Sequence, residues 1–572
     1  MRPQEPGDLS QQIHSDEPIG LSEGGVTSVE AKTRVRGQRI VMPVAKALCV
    51  LFVVLGLGSF AYYTRALFLK YPPVWPDEAI FSNPAMNLAR RGTMATDVLS
   101  GTLPGFERST YYLPPGYFLY LAAIFRVVKP GIVPLRLSSV AAAILVMILT
   151  YSVGRRSGLG PWLALIPVSL LGVDHVFLRG ALIGRPDMLT LALILATLRL
   201  SMGSRLTGDL SRARLLVMGA SGALAALVHP MGVAAPGAMV AARLLPPGRR
   251  WQRMKRLAPA FLAGAFIALP WAIYVLEDAN TFAVQFGSQF VRKASKESVF
   301  IEVARCLLQY QSTELQVRLP APGRPEGSRQ AVPGSRWGFL LGPLLWIGGL
   351  AGLDLAAEGR PEELTIGWLL ILVLILWGRE VSYPLYLVPL SAIGVAHLIK
   401  PASQRHLALA ALVFSGCVWF AQSNLRFLSN ASEFLNRIHQ PTTDYVRWCA
   451  EISKALPSGS KVLIAVIPDP YFGLMDRADL VLREFLPTGL PIGEGKYRGY
   501  MAAADYIIVG PIRPSENPNS GMEIIGSDSS DPRIDHFVEG NGQLIRVVGT
   551  EPDKGYYARV YRVTKVRVPA QQ

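Results

Sequence analysis

Long uninterrupted apolar stretches constrain this chain more than any other feature. Pro43 to Tyr63, Val140 to Val153 and Trp368 to Trp377 are runs of this kind. A bilayer core takes about 20 apolar residues per helix, and several runs approach that length. Soluble domains confine apolar residues to short periodic bursts and carry about 25% charged residues. Here 17% are charged and 50% hydrophobic, with mean hydropathy +0.30. These values exclude a soluble enzyme, a disordered protein and a disulfide-rich secreted module. A polytopic, α-helical membrane protein remains.

The net charge of +16 does not point to nucleic acid, because the basic residues share neither a face nor a domain. They sit between apolar spans: Arg34, Arg36, Arg39 and Lys46 before the first, and Arg249, Arg250, Arg253, Lys255 and Arg256 before a middle one. That is the positive-inside pattern. Of the four cysteines, Cys49 and Cys417 lie in apolar runs and read as packing residues. Cys306 and Cys449 fall in polar segments and pair only if both face an oxidising compartment.

Residues 1–40 read as a disordered cytoplasmic tail, polar and without periodicity. A membrane domain is expected over 41–428, with long polar loops at about 64–112 and 277–336. Twelve apolar segments are legible within it, and the basic stretches before Val41, at Arg243–Arg256 and at Lys400–His406 all favour the cytoplasm. Satisfying all three requires one segment between the first loop and Arg243 not to cross. The short segments 113–128, 213–228 and 231–245 are the suspects. About 11 crossings result, with both polar loops and the C-terminal region outside. Arg126, Lys129 and Arg136 fit poorly in either topology.

Residues 429–572 are expected to form a small, extracytoplasmic α/β domain. Its candidate strands are Val462–Ile467, Tyr506–Val509, Leu544–Val548 and Ala558–Val563, and a helical pattern spans Asp444–Ala455. It carries neither a glycine-rich phosphate loop nor a metal-ligand spacing.

The first loop holds the most informative polar residues. Trp75-Pro-Asp-Glu-Ala79 opens a helix-like stretch ending near Arg91-Gly92. Adjacent carboxylates beside a membrane face water or bind something cationic. Alternatively, Asp77 simply caps the helix that follows. Further on, Tyr111-Tyr-Leu-Pro-Pro-Gly-Tyr-Phe-Leu-Tyr120 leads into the next apolar segment, its prolines fixing the entry of the chain.

Trp-x-Asp-Glu after span one, a helix ending in Arg-Gly, then Pro-Pro-x-Tyr together resemble the GT-C superfamily of membrane glycosyltransferases. Within it, the bacterial branch related to protein O-mannosyltransferases and the lipid A aminoarabinose transferase is the most similar. The resemblance is strongest over residues 40–200, extends to about 425, and is weak beyond. It implies that Asp77 is the general base or acceptor-orienting residue. It also implies a polyprenyl-phosphate-linked sugar donor, used on the non-cytoplasmic face with inversion. The chemistry is coherent. An acceptor hydroxyl needs a carboxylate to take its proton as it attacks the anomeric carbon, and a phosphate leaving group needs positive charge.

Further candidates follow. Glu78, beside Asp77, and Arg108 are candidate substrate contacts, and Glu107 a candidate metal ligand; a pair of solvated loop charges explains Glu107 and Arg108 equally well. Some relatives place a charged pair or a histidine before the two prolines, where this chain has Tyr112 and Leu113. Asp187, in Arg185-Pro-Asp187, is either a helix-start residue or, by the resemblance, a second catalytic carboxylate near Asp77. His229, in Leu-Val-His-Pro, is either a structural histidine at a kink or a metal or phosphate contact. Arg379 and Tyr383, in Arg379-Glu-Val-Ser-Tyr-Pro-Leu-Tyr386, are donor-phosphate candidates or interfacial anchors.

The expectation is therefore a glycosyltransferase of a bacterial inner membrane. It would move a hexosyl or pentosyl group from a polyprenyl-phosphate donor to a lipid, glycan or protein acceptor. A divalent metal is possible without a full ligand set. The competing class is a transporter or flippase of an envelope precursor, and a non-catalytic scaffold is a third reading.

Overall fold

The computed structural model describes residues 47, 49–202, 210–245, 250–293, 338–355, 362–378, 383–400, 407–438, 445–485, 494–510, 528–529, 532–549 and 556–564. The chain divides after Val50, and the larger unit is Leu51–Gln572. The tail at 1–40, Cys306, Arg379 and most of the second polar loop lie outside the described residues.

The architecture is mainly helical with one small mixed sheet. Helix α1 (Cys49–Leu67) leads to a segment containing α2 (Pro76–Arg91) and α3 (Gly116–Val127). Then follow α4 (Ile132–Arg156), α5 (Leu165–Val173), α6 (His175–Leu182), α7 (Asp187–Ser201), α8 (Arg212–Val228), α9 (Ala234–Leu244), α10 (Arg250–Arg256), α11 (Ala258–Glu277) and α12 (Ala279–Lys293). The later helices are α13 (Gly338–Leu355), α14 (Glu362–Gly378), α15 (Val388–Ile399) and α16 (Leu407–Ile438).

Among the described residues, four helices are long and apolar enough to cross a bilayer: Cys49–Leu67, Ile132–Arg156, Ala258–Glu277 and Ala408–Glu433. A fifth span results if α5 and α6, bent by 71° at Asp174, count as one. On α11, Leu262, Phe266, Ile273 and Leu276 are all exposed, as helix faces meeting lipid are. Where helices meet each other, small residues bring them close. A Cβ on Gly394 of α15 would collide with the Gly349 carbonyl of α13, and one on Gly352 with the Gly394 carbonyl.

The bundle has two chemically distinct ends. At one, Arg156, Arg214 and Arg243 gather around the last residues of α7. At the other lie Asp77, Asp187 and His229. Helices α8 and α9 run between these ends despite their shortness, because Arg214 starts α8 at the arginine end and Arg243 finishes α9 there. Helix α3 does not. Its first residue, Gly116, abuts Leu227 and Val228 at the acidic end, and Lys129 just past it pairs with Asp476 of the C-terminal region at 2.8 Å.

The C-terminal region folds around α17 (Tyr445–Lys454), β1 (Lys461–Ile467), α18 (Tyr471–Leu474), β2 (Val481–Glu484), α19 (Glu494–Ala502), β3 (Tyr506–Val509), β4 (Asp528–Ser529), α20 (Pro532–Asn541), β5 (Gly542–Val548) and β6 (Ala558–Val563). The expected helix and four expected strands are present within a few residues. The short β2 and β4 carry too little pattern to be read in advance. The sheet order is β2-β1-β3-β6-β5, with β4 beside β1. Strand β1 is parallel to β2 and β3, and β6 is antiparallel to β3 and β5. Cys449 is buried beside Tyr445.

This sheet does not stand apart from the first loop. Phe81, Met86, Leu99 and Phe106 share one apolar core with Trp448, Val462, Tyr471 and Val560. Backbone bonds join the two, from Asp469 N–H to Val74 O and from Glu484 N–H to Val98 O, both 2.8 Å. Asn83 Nδ2 of α2 donates to the Tyr471 hydroxyl at 2.9 Å.

Asp469 and Glu484 are enclosed at this junction and share a side-chain hydrogen bond, so one of them keeps its proton. Burial pushes Asp469 up to about 7, with the nearby Glu78 adding to the rise. Burial also drives Glu484 well above its usual range, as does the Asp469 charge beside it. A carboxyl whose folded value is raised stabilises the fold below its unfolded value and loses that contribution as pH climbs. The melting temperature of the detergent-purified protein should therefore fall between pH 5.5 and 8.5, and Asp469→Asn with Glu484→Gln should flatten the profile. An equally steep fall in the double variant would place the sensitivity elsewhere.

Candidate active site

Helix α2 begins at Pro76, whose missing N–H costs nothing at that position. Glu78 reaches back to accept the Trp75 N–H at 3.0 Å. That leaves Asp77, one turn-position away and 34% exposed, to point elsewhere. Its Oδ2 lies 2.5 Å from Nη1 of Arg185. The same guanidinium donates from Nε to Asp187 Oδ2 at 2.9 Å. Arg185 is thus a fork between two carboxylates that are 110 positions apart in the chain.

Asp187 opens α7 and is 2% exposed. Its second oxygen, Oδ1, accepts the Tyr386 hydroxyl at 3.0 Å. Tyr386 sits in the single 3-10 turn Tyr383–Tyr386 that precedes α15. Its ring stacks on His229 with centroids 6.3 Å apart, and Tyr383 meets the same imidazole edge-on at 5.5 Å. His229 Nδ1 accepts the Met231 N–H at 3.2 Å. In a neutral ring the proton then sits on Nε2, 3.5 Å from the Tyr383 hydroxyl. One connected assembly results: Asp77, Arg185, Asp187, Tyr386, His229 and Tyr383.

Glu78 lies directly behind it and is fully enclosed. Arg136 of α4, equally buried, donates to it from Nε at 2.9 Å and Nη2 at 2.8 Å, and the Gly184 N–H adds a bond of 2.7 Å. A Cβ on Gly184 would overlap Leu135 and crowd Glu78 Oε1, so only glycine lets this backbone approach. The third Arg136 nitrogen, Nη1, donates to the Phe68 carbonyl at 3.0 Å. Glu78 therefore ties α2, α4, the end of α1 and the α6–α7 turn together, instead of facing a ligand.

The remaining candidates are placed apart. Glu107 accepts Ser100 Oγ at 3.0 Å and Gly101 N–H at 2.8 Å, closing its own loop. Burial opposes its charge, but its hydrogen bonds, from backbone N–H groups and Ser100, together hold it below the ordinary glutamate value. Arg108 is exposed and faces Asp278 near the start of α12. Among the described residues no three His, Cys, Asp or Glu side chains come together to hold a metal ion.

Arg185 and Tyr386 were not singled out by sequence reasoning, although both stand inside quoted motifs. The available signal for Arg185 was an arginine flanked by apolar segments, which needs a partner at that depth.

The backbone that carries this assembly has counterparts among solved structures. It is similar to ArnT, the lipid A aminoarabinose transferase, from Cupriavidus metallidurans. Against ArnT bound to undecaprenyl phosphate the TM-score is 0.55 at 14% identity, covering 92% of this chain and 99% of that one. Against apo ArnT it is 0.54 at 14% identity, covering 91% and 99%. The apo oligosaccharyltransferase of Archaeoglobus fulgidus aligns with a TM-score of 0.44 at 12% identity, over 80% of this chain and 70% of that one. No protein-family model and no curated protein sequence matches the chain. At such identities the likeness is one of fold, and the chemistry has to come from the residues.

Proposed function

We propose that the chain is a membrane glycosyltransferase. It moves a sugar from a polyprenyl-phosphate-linked donor to an acceptor hydroxyl on the non-cytoplasmic face, with inversion. The observation that carries this reading is the pair Asp77 and Asp187 held by one guanidinium, with Asp77 open to solvent and Asp187 sealed behind it. ArnT's structure with bound undecaprenyl phosphate supports a lipid-phosphate donor here.

In this reading an acceptor oxygen attacks the anomeric carbon while Asp77 takes its proton. The bond from that carbon to the phosphate oxygen breaks, and its electron pair leaves with the polyprenyl phosphate. The charge on the leaving phosphate needs donors; Arg185, the His229 Nε2–H and the Tyr383 hydroxyl are the groups at hand. Arg185 also holds Asp77 in place through their ion pair. Asp187 and Tyr386 hold the guanidinium and the imidazole in place.

The arginine end then faces the cytoplasm, which puts the acidic end, the first loop and the sheet outside. Eleven crossings follow if α3 lies on the outer surface and α5 with α6 forms one span. The acceptor is a hydroxyl on a lipid, a glycan or a protein.

The test is reconstitution of the full chain in liposomes with a panel of labelled polyprenyl-phosphate pentoses and hexoses. One donor should be consumed, with mass spectrometry detecting free polyprenyl phosphate and a glycosylated acceptor. Donor that crosses the bilayer unhydrolysed and untransferred would replace this reading with a flippase.

A further inference from the structure

Asp77 sits where a helix is least secure. It lies in the first turn of α2, and opening turns fray because their N–H groups have no partner within the helix. Further along, Pro84 has no N–H to give to the Ile80 carbonyl, so the helical ladder is interrupted just past this turn. A general base must nonetheless keep its place to within about 0.5 Å. The Arg185 ion pair holds the side chain; the backbone beneath it needs support of its own.

That support comes from a three-residue piece of the C-terminal region. The Asp469 N–H donates to the Val74 carbonyl at 2.8 Å, just ahead of Asp77 in the chain. The Tyr471 hydroxyl accepts from Asn83 Nδ2 at 2.9 Å, just beyond it. Asp469–Tyr471 thus grips the chain on both sides of Asp77. The piece is itself fixed: Asp469 Oδ1 accepts the Tyr471 N–H at 2.7 Å, and the Tyr445 hydroxyl donates to the Asp469 carbonyl at 2.7 Å. On the α2 side, Asn83 Oδ1 accepts the Asp97 N–H at 2.8 Å, which sets the amide square to Tyr471. Val74, Asn83, Asp469 and Tyr471 are all at most 5% exposed, so water does not compete for these bonds.

Attachment of the sheet does not need them. Phe81, Met86, Trp448 and Tyr471 already share an apolar core, and non-directional burial is enough to fasten a domain. Hydrogen bonds add direction, and both of these fall on the short stretch that carries the candidate base.

We propose that Asp469–Tyr471 is a positioning clamp for Asp77. Asn83 and Tyr471 are buried and act through that carboxylate, not on substrate. The inference rests on the glycosyl-transfer reading above.

Wild type, Tyr471→Phe, Asp77→Asn and the double variant would be compared in the liposome assay with labelled polyprenyl-phosphate pentoses and hexoses. Phenylalanine keeps the packed ring and removes only the hydroxyl. Tyr471→Phe should lower kcat by at least about tenfold with KM within a few fold, since a displacement of about 1 Å costs up to about a hundredfold. In the Asp77→Asn background the same change should cost less than about twofold, because the base that it positions is gone. A merely structural role would lower both rates alike. If Tyr471→Phe does not fold, Asn83→Ala breaks the same bond from α2 and enters the same comparison. A loss under about tenfold, or an equal loss with and without Asp77, overturns the clamp alone. Unchanged turnover in Asp77→Asn, or no donor consumed by the wild type, overturns the reading on which the clamp rests, and the clamp with it.

Discussion

Asp77→Asn should lower the turnover of the donor by about a thousandfold while leaving its KM within a few fold. Asparagine keeps the shape of the side chain and can still contact Arg185 through its oxygen, so the site should remain assembled. What it loses is the capacity to take a proton. Arg185 stays anchored by Asp187, so the guanidinium keeps its place in the variant. Asp77→Glu, which restores a carboxylate at a displaced position, should recover part of the rate. A reduction below about tenfold in Asp77→Asn would remove Asp77 from proton transfer, because a positioned base is worth at least about a hundredfold.

The second large effect concerns stability. Arg136→Ala should destabilise the protein by about 3–5 kcal/mol, since it leaves Glu78 charged and enclosed without its counter-ion. Both side chains are inaccessible to solvent, so water cannot take the arginine's place. Glu78→Gln should also destabilise the protein, because the Trp75 and Gly184 N–H groups bond different carboxylate oxygens and an amide offers an oxygen to one of them only. A double replacement of both residues should cost less than the sum of the single changes. Thermal unfolding in one detergent reads all three. A loss under about 1 kcal/mol for Arg136→Ala would mean that the pair is solvated in the working protein.

The pair also explains what was legible in the sequence. Long apolar runs and alternating strands are local patterns, and they gave most of the apolar helices and four of the six strands directly, but not the polar helices such as α12 and α20. Arg136 and Lys129 fitted poorly as topological charges because they are not such charges. Arg136 is consumed by Glu78 and Lys129 by Asp476, and each partner lies in a different segment. Segment 113–128 was one of three suspected from their length, and α3 starts beside Leu227 and Val228 while Lys129 beyond its end pairs with Asp476.

The site divides in the same way. The motif around Asp77 and the Arg-Pro-Asp start of α7 stood out as chain segments, and their kinship came from a family likeness. The fork that joins them did not, because a guanidinium shared between two loops has no signature in spacing. Glu78 stood as a candidate substrate contact beside Asp77, yet successive residues on a helix point about 100° apart. One faces the opening and the other faces the core.

The order in which these partners leave the ribosome has a consequence of its own. Glu78 waits 58 residues for Arg136, Asp187 waits 199 for Tyr386, and Asn83 waits 388 for Tyr471. At about 5–20 residues per second, that last interval is roughly 20 to 80 s. Helix α2 is therefore fastened in stages: its carboxylates gain Arg136 and Arg185 within 108 residues, whereas Asn83 stays without Tyr471 until the C-terminal region is translated.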